Sequence, residues 1–219
     1  MRKPISGKIT VPATTANLGP GFDTLGLALD LWNEISFSTA GNLFSLEIYG
    51  KGSEYLSRRE NNLIVRSIDH VLKDQGQQRP AGLQIVCQNA IPTSSGLGSS
   101  ASAVLAGILI ANKLLGDRLS QDEIIGYGLE IEGHVDNIAP ALFGGLTIST
   151  TSSGEIINRK TPIYPWNILI VLPIIRLSTR KARSVLPGKV KMKSAVKNIG
   201  RSLLTLQALQ EGDQDLLLQ

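Results

Sequence analysis

Residues 92–102 read PTSSGLGSSAS, a glycine- and serine-rich stretch between two segments of different periodicity. In residues 83–88 every second side chain is Leu, Ile or Cys, which predicts a half-buried strand. In residues 101–108 the apolar side chains recur at helical spacing. Because Gly96 and Gly98 lack a Cβ, the backbone N–H groups of the turn can approach an anion, and the helix start adds unpaired donors. The stretch therefore predicts a phosphate-binding loop.

This loop is not of the Walker type. A Walker loop requires Gly-Lys followed by Ser or Thr, and no lysine lies between Gln75 and Asn112. The sequence predicts another kind of phosphate cradle. A glycine-serine turn also occurs as a simple helix cap, so the stretch alone leaves both interpretations open.

The composition is that of a globular protein with a substantial core, since 42% of the 219 residues are hydrophobic. The longest apolar or small stretches, near residues 101–111 and 168–175, are shorter than the roughly 20 residues of a membrane-spanning helix. The first ten residues, MRKPISGKIT, contain Pro, Gly and Lys where a signal peptide requires an apolar block. We therefore expect a cytoplasmic protein that does not bind membranes. The single cysteine, Cys87, excludes an internal disulfide and is expected to pack in the core.

The positive charge is concentrated in one part of the chain. The net charge is only +4, yet residues 156–201 contain eleven Lys or Arg residues and no acid. Only Tyr164 and Trp166 could stack on bases there, and no nucleic-acid-binding module is recognisable, so nucleic acid is not expected as a partner. A small molecule bearing phosphate or carboxylate fits better. For the lysines of residues 189–197, a solvated face without a ligand is the alternative.

The spacing of apolar residues and turn signals predicts a mixed α+β fold. A capping box at Ser120 and Glu123 starts one helix, which delivers Glu132 into a loop. Asn61 or Asn62 caps an earlier helix that ends at Gly76. The remaining predictions are strands at 8–13, 25–30, 33–37, 43–48, 146–151, 155–159 and 168–172, a helix from a Ser178 cap to 186, a helix at 196–209, and a last helix capped by Asp213.

Two further stretches share the mixture of small and polar residues. They are residues 11–23, VPATTANLGPGFD, and residues 132–145, EGHVDNIAPALFGG. Together with the phosphate loop, in this order and spacing, they resemble the GHMP kinases, and within that superfamily most closely the homoserine kinases. The resemblance covers essentially all of the chain. It implies an amino-terminal ATP-binding domain at residues 1–155 and part of a carboxy-terminal domain at residues 156–219.

One departure from the family concerns its third motif, a glycine-rich loop in the carboxy-terminal domain, which has no counterpart here. The sequence also stops at three consecutive leucines, residues 216–218, which is unusual for an exposed tail. We therefore expect a truncated chain. The oligomeric state is not determined by the sequence, and a homodimer is considered.

The resemblance implies transfer of the γ-phosphoryl group of ATP to the side-chain hydroxyl of L-homoserine, on the route to threonine, with Mg²⁺ bridging phosphate oxygens. Two alternatives remain open: another GHMP small-molecule kinase, acting on mevalonate or a related alcohol, and a non-catalytic nucleotide-binding fragment, because the third motif is absent. The implied nucleotide-binding residues are Asn62, Pro92, Ser94, Ser95, Gly96, Leu97, Gly98, Ser99, Ser100, Ala101 and Ser102.

The resemblance also assigns residues to the substrate and the metal. It implies Ser99 or Ser100, together with Glu132, as metal ligands. Glu130 is the competing carboxylate, but its helical position points it to a different face. Asp136 and Asn137 are the implied catalytic residues, with a general-base role for Asp136 left open. The implied substrate-binding residues are Asn17, Asp23, His134, Asn137 and Arg183.

Overall fold

The computed structural model describes residues 3–172 and 179–218, and these residues form the predicted α+β fold. The predicted cap Ser178 lies outside the described residues. The elements in chain order are β1 (Ser6–Ala16), β2 (Leu25–Ser38), β3 (Ser45–Gly50), α1 (Leu63–Asp74), β4 (Gln84–Asn89), α2 (Ser99–Leu114), α3 (Gln121–Glu132), α4 (Ile138–Phe143), β5 (Leu146–Ser152), β6 (Glu155–Thr161), α5 (Thr179–Ser184), α6 (Met192–Glu211) and α7 (Gln214–Leu217).

The six strands form one sheet centred on β2. Strand β1 pairs antiparallel along β2, with a bulge between Pro12 and Ala13. The opposite edge of β2 pairs with β4 near its carboxyl end and with β5 near its amino end, both antiparallel. Strand β3 runs parallel to β4, and β6 pairs antiparallel with β5. The long β2 therefore connects the phosphate-loop strand β4 to β5, the strand that follows residues 132–145.

Two sequence predictions of secondary structure were wrong, and one element was missed. The two strands expected at 25–30 and 33–37 are one strand, because Trp32 still pairs with Pro12 on β1. The strand expected at 168–172 is irregular and forms no ladder with the other described residues, since β6 ends the sheet on that side. Residues 138–143, for which the sequence predicted no helix or strand, form the short helix α4. Its Pro140 sits in the first turn, where a missing N–H is tolerated.

The helices α1 and α2 build the main core against the inner strands. In α2 the side chains of Val104, Leu105 and Ile108 are fully or almost fully buried, which confirms the helical spacing predicted from the sequence. A smaller apolar cluster, which includes Ala13, Leu27 and Leu146, contacts Leu206 and Leu209 of α6. No helix in the described part of the chain is both long and apolar enough to cross a membrane. Cys87 is buried in the main core, as predicted, and burial raises the pKa of its thiol to about 12.

Local capping follows the predicted signals. The Asn62 side chain accepts the N–H of Ile64 and caps α1. Ser120 and Glu123 form the complete capping box of α3. Asp213 accepts the N–H of Leu216 and caps α7. These bonds satisfy amide donors that the first helical turns leave unpaired. Each capping residue therefore determines where its helix begins.

Candidate functional site

The loop between β4 and α2 is held in a left-handed turn. Ser94, Gly96 and Gly98 all have positive φ, and Gly98 is the residue before the first turn of α2. The Ser95 hydroxyl donates to the Pro92 carbonyl at 2.7 Å and accepts the N–H of Leu97 at 3.3 Å, so the loop is closed on itself. The free amide groups at the start of α2 and the positive end of its dipole then face one opening, an arrangement that binds anions.

Gly98 is required here by its surroundings as well as by its backbone angle. Its φ is +66°, and a Cβ at this position would lie 2.0 Å from Thr14 Oγ1 and 3.3 Å from Asn137 Oδ1. The N–H of Thr14 donates to the Leu97 carbonyl at 3.2 Å. The loop therefore rests directly on the end of β1, with no room for a side chain between them.

A cavity of about 1270 Å³ opens in front of this loop. It extends from the start of α1 to α5 and brings together residues that are far apart in sequence. The predicted site residues that line it are Asn17, Asn62, Ser94, Ser95, Gly96, Gly98, Ser99, Ser100, Ala101, Ser102, Glu132, His134, Asn137 and Arg183. Four predicted site residues, Pro92, Leu97, Asp23 and Asp136, lie beside the cavity and contact the loop or the lining residues.

Asn62 combines a cap with a position on the cavity wall. Its Oδ1 accepts the N–H of Ile64, its Nδ2 donates to the Ser57 carbonyl at 2.7 Å, and the residue is buried. The cavity wall around it also contains Leu56 and Leu63. These two leucines give this part of the wall an apolar surface beside polar groups, which suits a flat aromatic base better than a phosphate.

Glu132, the last residue of α3, carries an unusual oxygen. Its Oε1 is buried and has no hydrogen-bond partner among residues 3–172 and 179–218. Buried carboxylate oxygens are normally paired, so this atom is able to accept a hydrogen bond or to bind a cation. Serine hydroxyls at residues 99 and 100 line the same cavity, and no cluster of three or more His, Cys, Asp or Glu side chains occurs in the described chain. One carboxylate with hydroxyls and phosphate oxygens fits Mg²⁺, which keeps several waters in phosphoryl-transfer sites.

Glu130 lies on another side of α3. Its carboxylate is 2.8 Å from His70 Nε2 on α1, and both side chains are exposed. The helical position predicted this separation from Glu132, because residues two apart do not share a helix face. Glu132, rather than Glu130, is therefore the acid of α3 that lines the cavity.

Asp136 is the centre of a polar cluster behind the cavity. It is fully buried, and His134 Nδ1 lies 2.7 Å from its Oδ1. Asn17 Nδ2 donates to Oδ2 at 3.3 Å, and Asn137 Nδ2 donates to Oδ1 at 3.4 Å. The hydrogen bond to Asp136 raises the pKa of His134, against the opposing effect of its partial burial. Because Nδ1 binds Asp136, Nε2 is the ring nitrogen left for another partner.

Arg183 of α5 contacts residues 11–23, the first of the three stretches on which the resemblance rests. Its Nη1 donates to Asp23 Oδ2 at 2.9 Å and its Nη2 donates to Oδ1, so the two side chains form a two-point pair. This hydrogen bond raises the pKa of Arg183 further above its ordinary value. The guanidinium carbon also lies 5.4 Å from the centre of the Phe22 ring. Asp23 is held in a left-handed turn by the bond from its N–H to Asn17 Oδ1.

Two residues that contact the loop and its flanks were missed by sequence reasoning, Thr14 and Asn33. Asn33 lies in the middle of β2 and is almost fully buried. Its Oδ1 accepts the N–H groups of Ala90 and Ile91, and its Nδ2 donates to the Ser102 hydroxyl. A polar residue at an inward position of an apolar strand was the available signal. The bonding partners lie 57 to 69 residues away, so the pattern alone did not identify them.

Comparisons with known proteins agree with this arrangement. Residues 62–145 match the family of GHMP kinases N-terminal domains. The chain is 36% identical to homoserine kinase of Carboxydothermus hydrogenoformans, over 96% of this chain and 72% of the relative. It is 38% identical to homoserine kinase of Natranaerobius thermophilus, over 96% and 70% respectively. The crystal structure of homoserine kinase from Cytophaga hutchinsonii is 27% identical, superposes with a TM-score of 0.78, and is matched over 99% of this chain and 70% of its own.

Proposed function

The chain belongs to the GHMP kinases and, within them, to the homoserine kinases, and from this premise we propose that it phosphorylates the side-chain hydroxyl of L-homoserine with ATP. The observation that carries the proposal is one cavity that joins a helix-start anion site to the guanidinium of Arg183, which is paired with the Asp23 carboxylate beside the cavity. An ATP-binding loop alone would fit many nucleotide proteins. The adjacent pair of opposite charges suits a small zwitterion.

ATP would enter with its phosphates at the loop and its base toward α1. The backbone amides around Gly96, Leu97, Gly98 and Ser99 would hold phosphate oxygens. Asn62 and its apolar neighbours would line the base pocket. The reaction class places little covalent chemistry on the protein, because alignment and charge neutralisation lower most of the barrier.

Mg²⁺ would be held by Glu132 and by the hydroxyl of Ser99 or Ser100, together with phosphate oxygens. When bound, it neutralises charge on the phosphates of the nucleotide. The unpaired Glu132 Oε1 supports this assignment.

Homoserine would bind at the other end of the cavity. Asp23 suits its ammonium group and Arg183 suits its carboxylate, for which the planar guanidinium offers two parallel donors. Asn17, His134 and Asn137 would contact the side-chain hydroxyl region. In the transfer, the hydroxyl oxygen bonds to the γ-phosphorus, the bond from that phosphorus to the β,γ-bridging oxygen breaks, ADP leaves with that oxygen, and the hydroxyl proton passes to water.

We infer that Asp136 orients its neighbours. Its side chain is 1% exposed, and contacts from Asn17, His134 and Asn137 surround its oxygens. A loose transition state requires little prior deprotonation of the accepting hydroxyl. A general-base role is tested directly, because near-normal turnover by Asp136→Asn would eliminate it.

The deciding experiment measures ADP release with purified protein, ATP, Mg²⁺ and either L-homoserine or mevalonate. We expect ADP and O-phosphohomoserine, the latter identified by phosphorus NMR, with homoserine alone. Turnover with mevalonate instead would favour another GHMP kinase activity. Calorimetric ATP binding without ADP formation from either substrate would favour a nucleotide-binding role. The domain boundary at residue 155, a cytoplasmic location and a homodimer remain predictions.

A further inference from the structure

Thr14 connects three segments of the site. It lies in β1 and is fully buried. Its N–H donates to the carbonyl of Leu97 in the phosphate loop at 3.2 Å. Its hydroxyl donates to Asn137 Oδ1 at 2.8 Å, and it is the atom nearest to the missing Cβ of Gly98. Through these contacts, the buried Thr14 fixes the position of the phosphate loop relative to Asn137.

The direction of the bond to Asn137 determines what that residue offers to the cavity. An Asn side chain has nearly the same shape with its oxygen and nitrogen exchanged, so its hydrogen bonds decide which is where. The carboxylate of Asp136 only accepts, and Asn137 Nδ2 lies 3.4 Å from it. The Thr14 hydroxyl, on the other side, donates to Oδ1. The Thr14 hydroxyl can donate or accept, so the Asp136 carboxylate sets the orientation of the amide, and Thr14 holds the oxygen that this orientation turns toward it.

We propose that Thr14 is a positioning residue of the phosphoryl-transfer site, which holds Asn137 with its amide nitrogen available to the accepting hydroxyl. The inference rests on the proposed function and deepens it. With Oδ1 occupied by Thr14, Asn137 presents a donor to the cavity that it lines. A donor at this place holds the accepting oxygen by its lone pair and leaves the second lone pair for the γ-phosphorus.

The test compares Thr14→Val with Thr14→Ser. Valine keeps the shape, the β-branching and the backbone N–H, and replaces the hydroxyl by a methyl group, so Asn137 Oδ1 loses its donor and the amide is held less firmly. We expect kcat for homoserine to fall about tenfold, the equivalent of one hydrogen bond lost in the transition state. The KM for ATP should stay within about twofold, because the bond from the Thr14 N–H to the loop remains. Serine should restore most of kcat. Unchanged kcat in Thr14→Val overturns the proposal.

A double-mutant cycle with Asn137→Ala separates positioning from general destabilisation. If Thr14 acts through Asn137, then adding Thr14→Val to Asn137→Ala should lower kcat by less than about twofold further. A full additional tenfold loss would show that Thr14 acts independently and would overturn the proposal. If the wild-type protein shows no homoserine-dependent ADP release, the proposed function has failed. In that case the unfolding free energies of the same variants are measured in urea. Additive effects of the two changes would show that Thr14 and Asn137 do not interact and would overturn the proposal.

Discussion

Arg183 and Asp23 form a two-point ion pair although 160 residues separate them in sequence. These are the two side chains proposed to bind the carboxylate and the ammonium of the substrate. Without substrate, each side chain therefore pairs with the other, and homoserine would take the place of that partner on each of them. Both are 37% exposed, so water and substrate can reach the pair.

The first prediction concerns the cost of removing either charge. Asp23→Asn and Arg183→Lys should each raise the KM for homoserine by at least about tenfold, because charged hydrogen bonds are lost and a lysine lacks the planar fork. The KM for ATP should change little. Steady-state kinetics with each substrate varied in turn measures this. Arg159→Ala, an exposed arginine on β6 away from the cavity, is the control and should change neither value. An equal rise in both KM values would contradict the assignment.

The second prediction tests the acid at the end of α3. Glu132→Gln keeps the size of the side chain and removes its charge, so the Mg²⁺ concentration for half-maximal turnover should rise about tenfold or more. A titration of turnover with Mg²⁺ at saturating ATP and homoserine measures it.

Glu130→Gln is the matched control, since the same substitution two residues earlier removes an acid that pairs with His70 outside the cavity. It should leave the Mg²⁺ requirement unchanged. A similar rise in both variants would show that the effect is general charge loss from α3 and not a ligand lost.

The structure brings the polar residues named from the sequence to one cavity, but the sequence did not predict their mutual contacts. Gly98, Glu132 and the Ser120 capping box follow local rules of turns and helix ends, which depend on a few neighbouring residues. Other contacts depend on how β1, β2 and α5 come together. They are the ion pair of Asp23 with Arg183 and the clamp by Asn33, meaning its hydrogen bonds to Ala90, Ile91 and Ser102. Such long-range contacts leave no mark in local periodicity. The irregular segment at 168–172 was misjudged for the same reason, because its apolar residues specify a strand only where a neighbouring strand is present.

The third prediction concerns Gly98. Gly98→Ala combines a left-handed backbone angle with a Cβ 2.0 Å from Thr14 Oγ1. We expect a loss of unfolding free energy of about 2 to 4 kcal/mol, from backbone strain and overpacking together, and a loss of measurable ATP binding. Urea unfolding and titration calorimetry measure the two effects.

Gly116→Ala is the control for the backbone angle alone. Gly116 has a φ of +82° and no atom within 4 Å of its would-be Cβ. The Gly116→Ala variant should lose only about 1 kcal/mol of unfolding free energy and keep its affinity for ATP. If both variants lose the same stability and both bind ATP, the close packing of the loop on β1 has no energetic weight.

The fourth prediction concerns the clamp at the base of the loop. Asn33→Ala leaves two N–H groups without their acceptor, that of Ile91 in a buried place and that of Ala90 in a partly buried one. The unfolding free energy should fall by about 2 kcal/mol or more, and ATP should bind more weakly because the loop loses its anchor. Asn198→Ala is the control, since that exposed amide donates to the Pro20 carbonyl at the surface. A stability loss no larger than in Asn198→Ala would exclude a clamp.

The last prediction follows from the raised pKa of His134, whose main cause is its hydrogen bond to Asp136. Because the folded-state pKa lies above the unfolded value of about 6.5, the folded protein holds the proton more tightly. The stabilisation by His134 is therefore fully present below the unfolded pKa and is lost as pH rises through the folded pKa. The difference in unfolding free energy between wild type and His134→Gln should shrink from pH 6 toward pH 9. In the Asp136→Asn background this pH dependence should largely vanish, because the bond that raises the pKa is weakened. A difference that is constant with pH, or that grows as pH rises, would show that His134 is not held as a cation by Asp136.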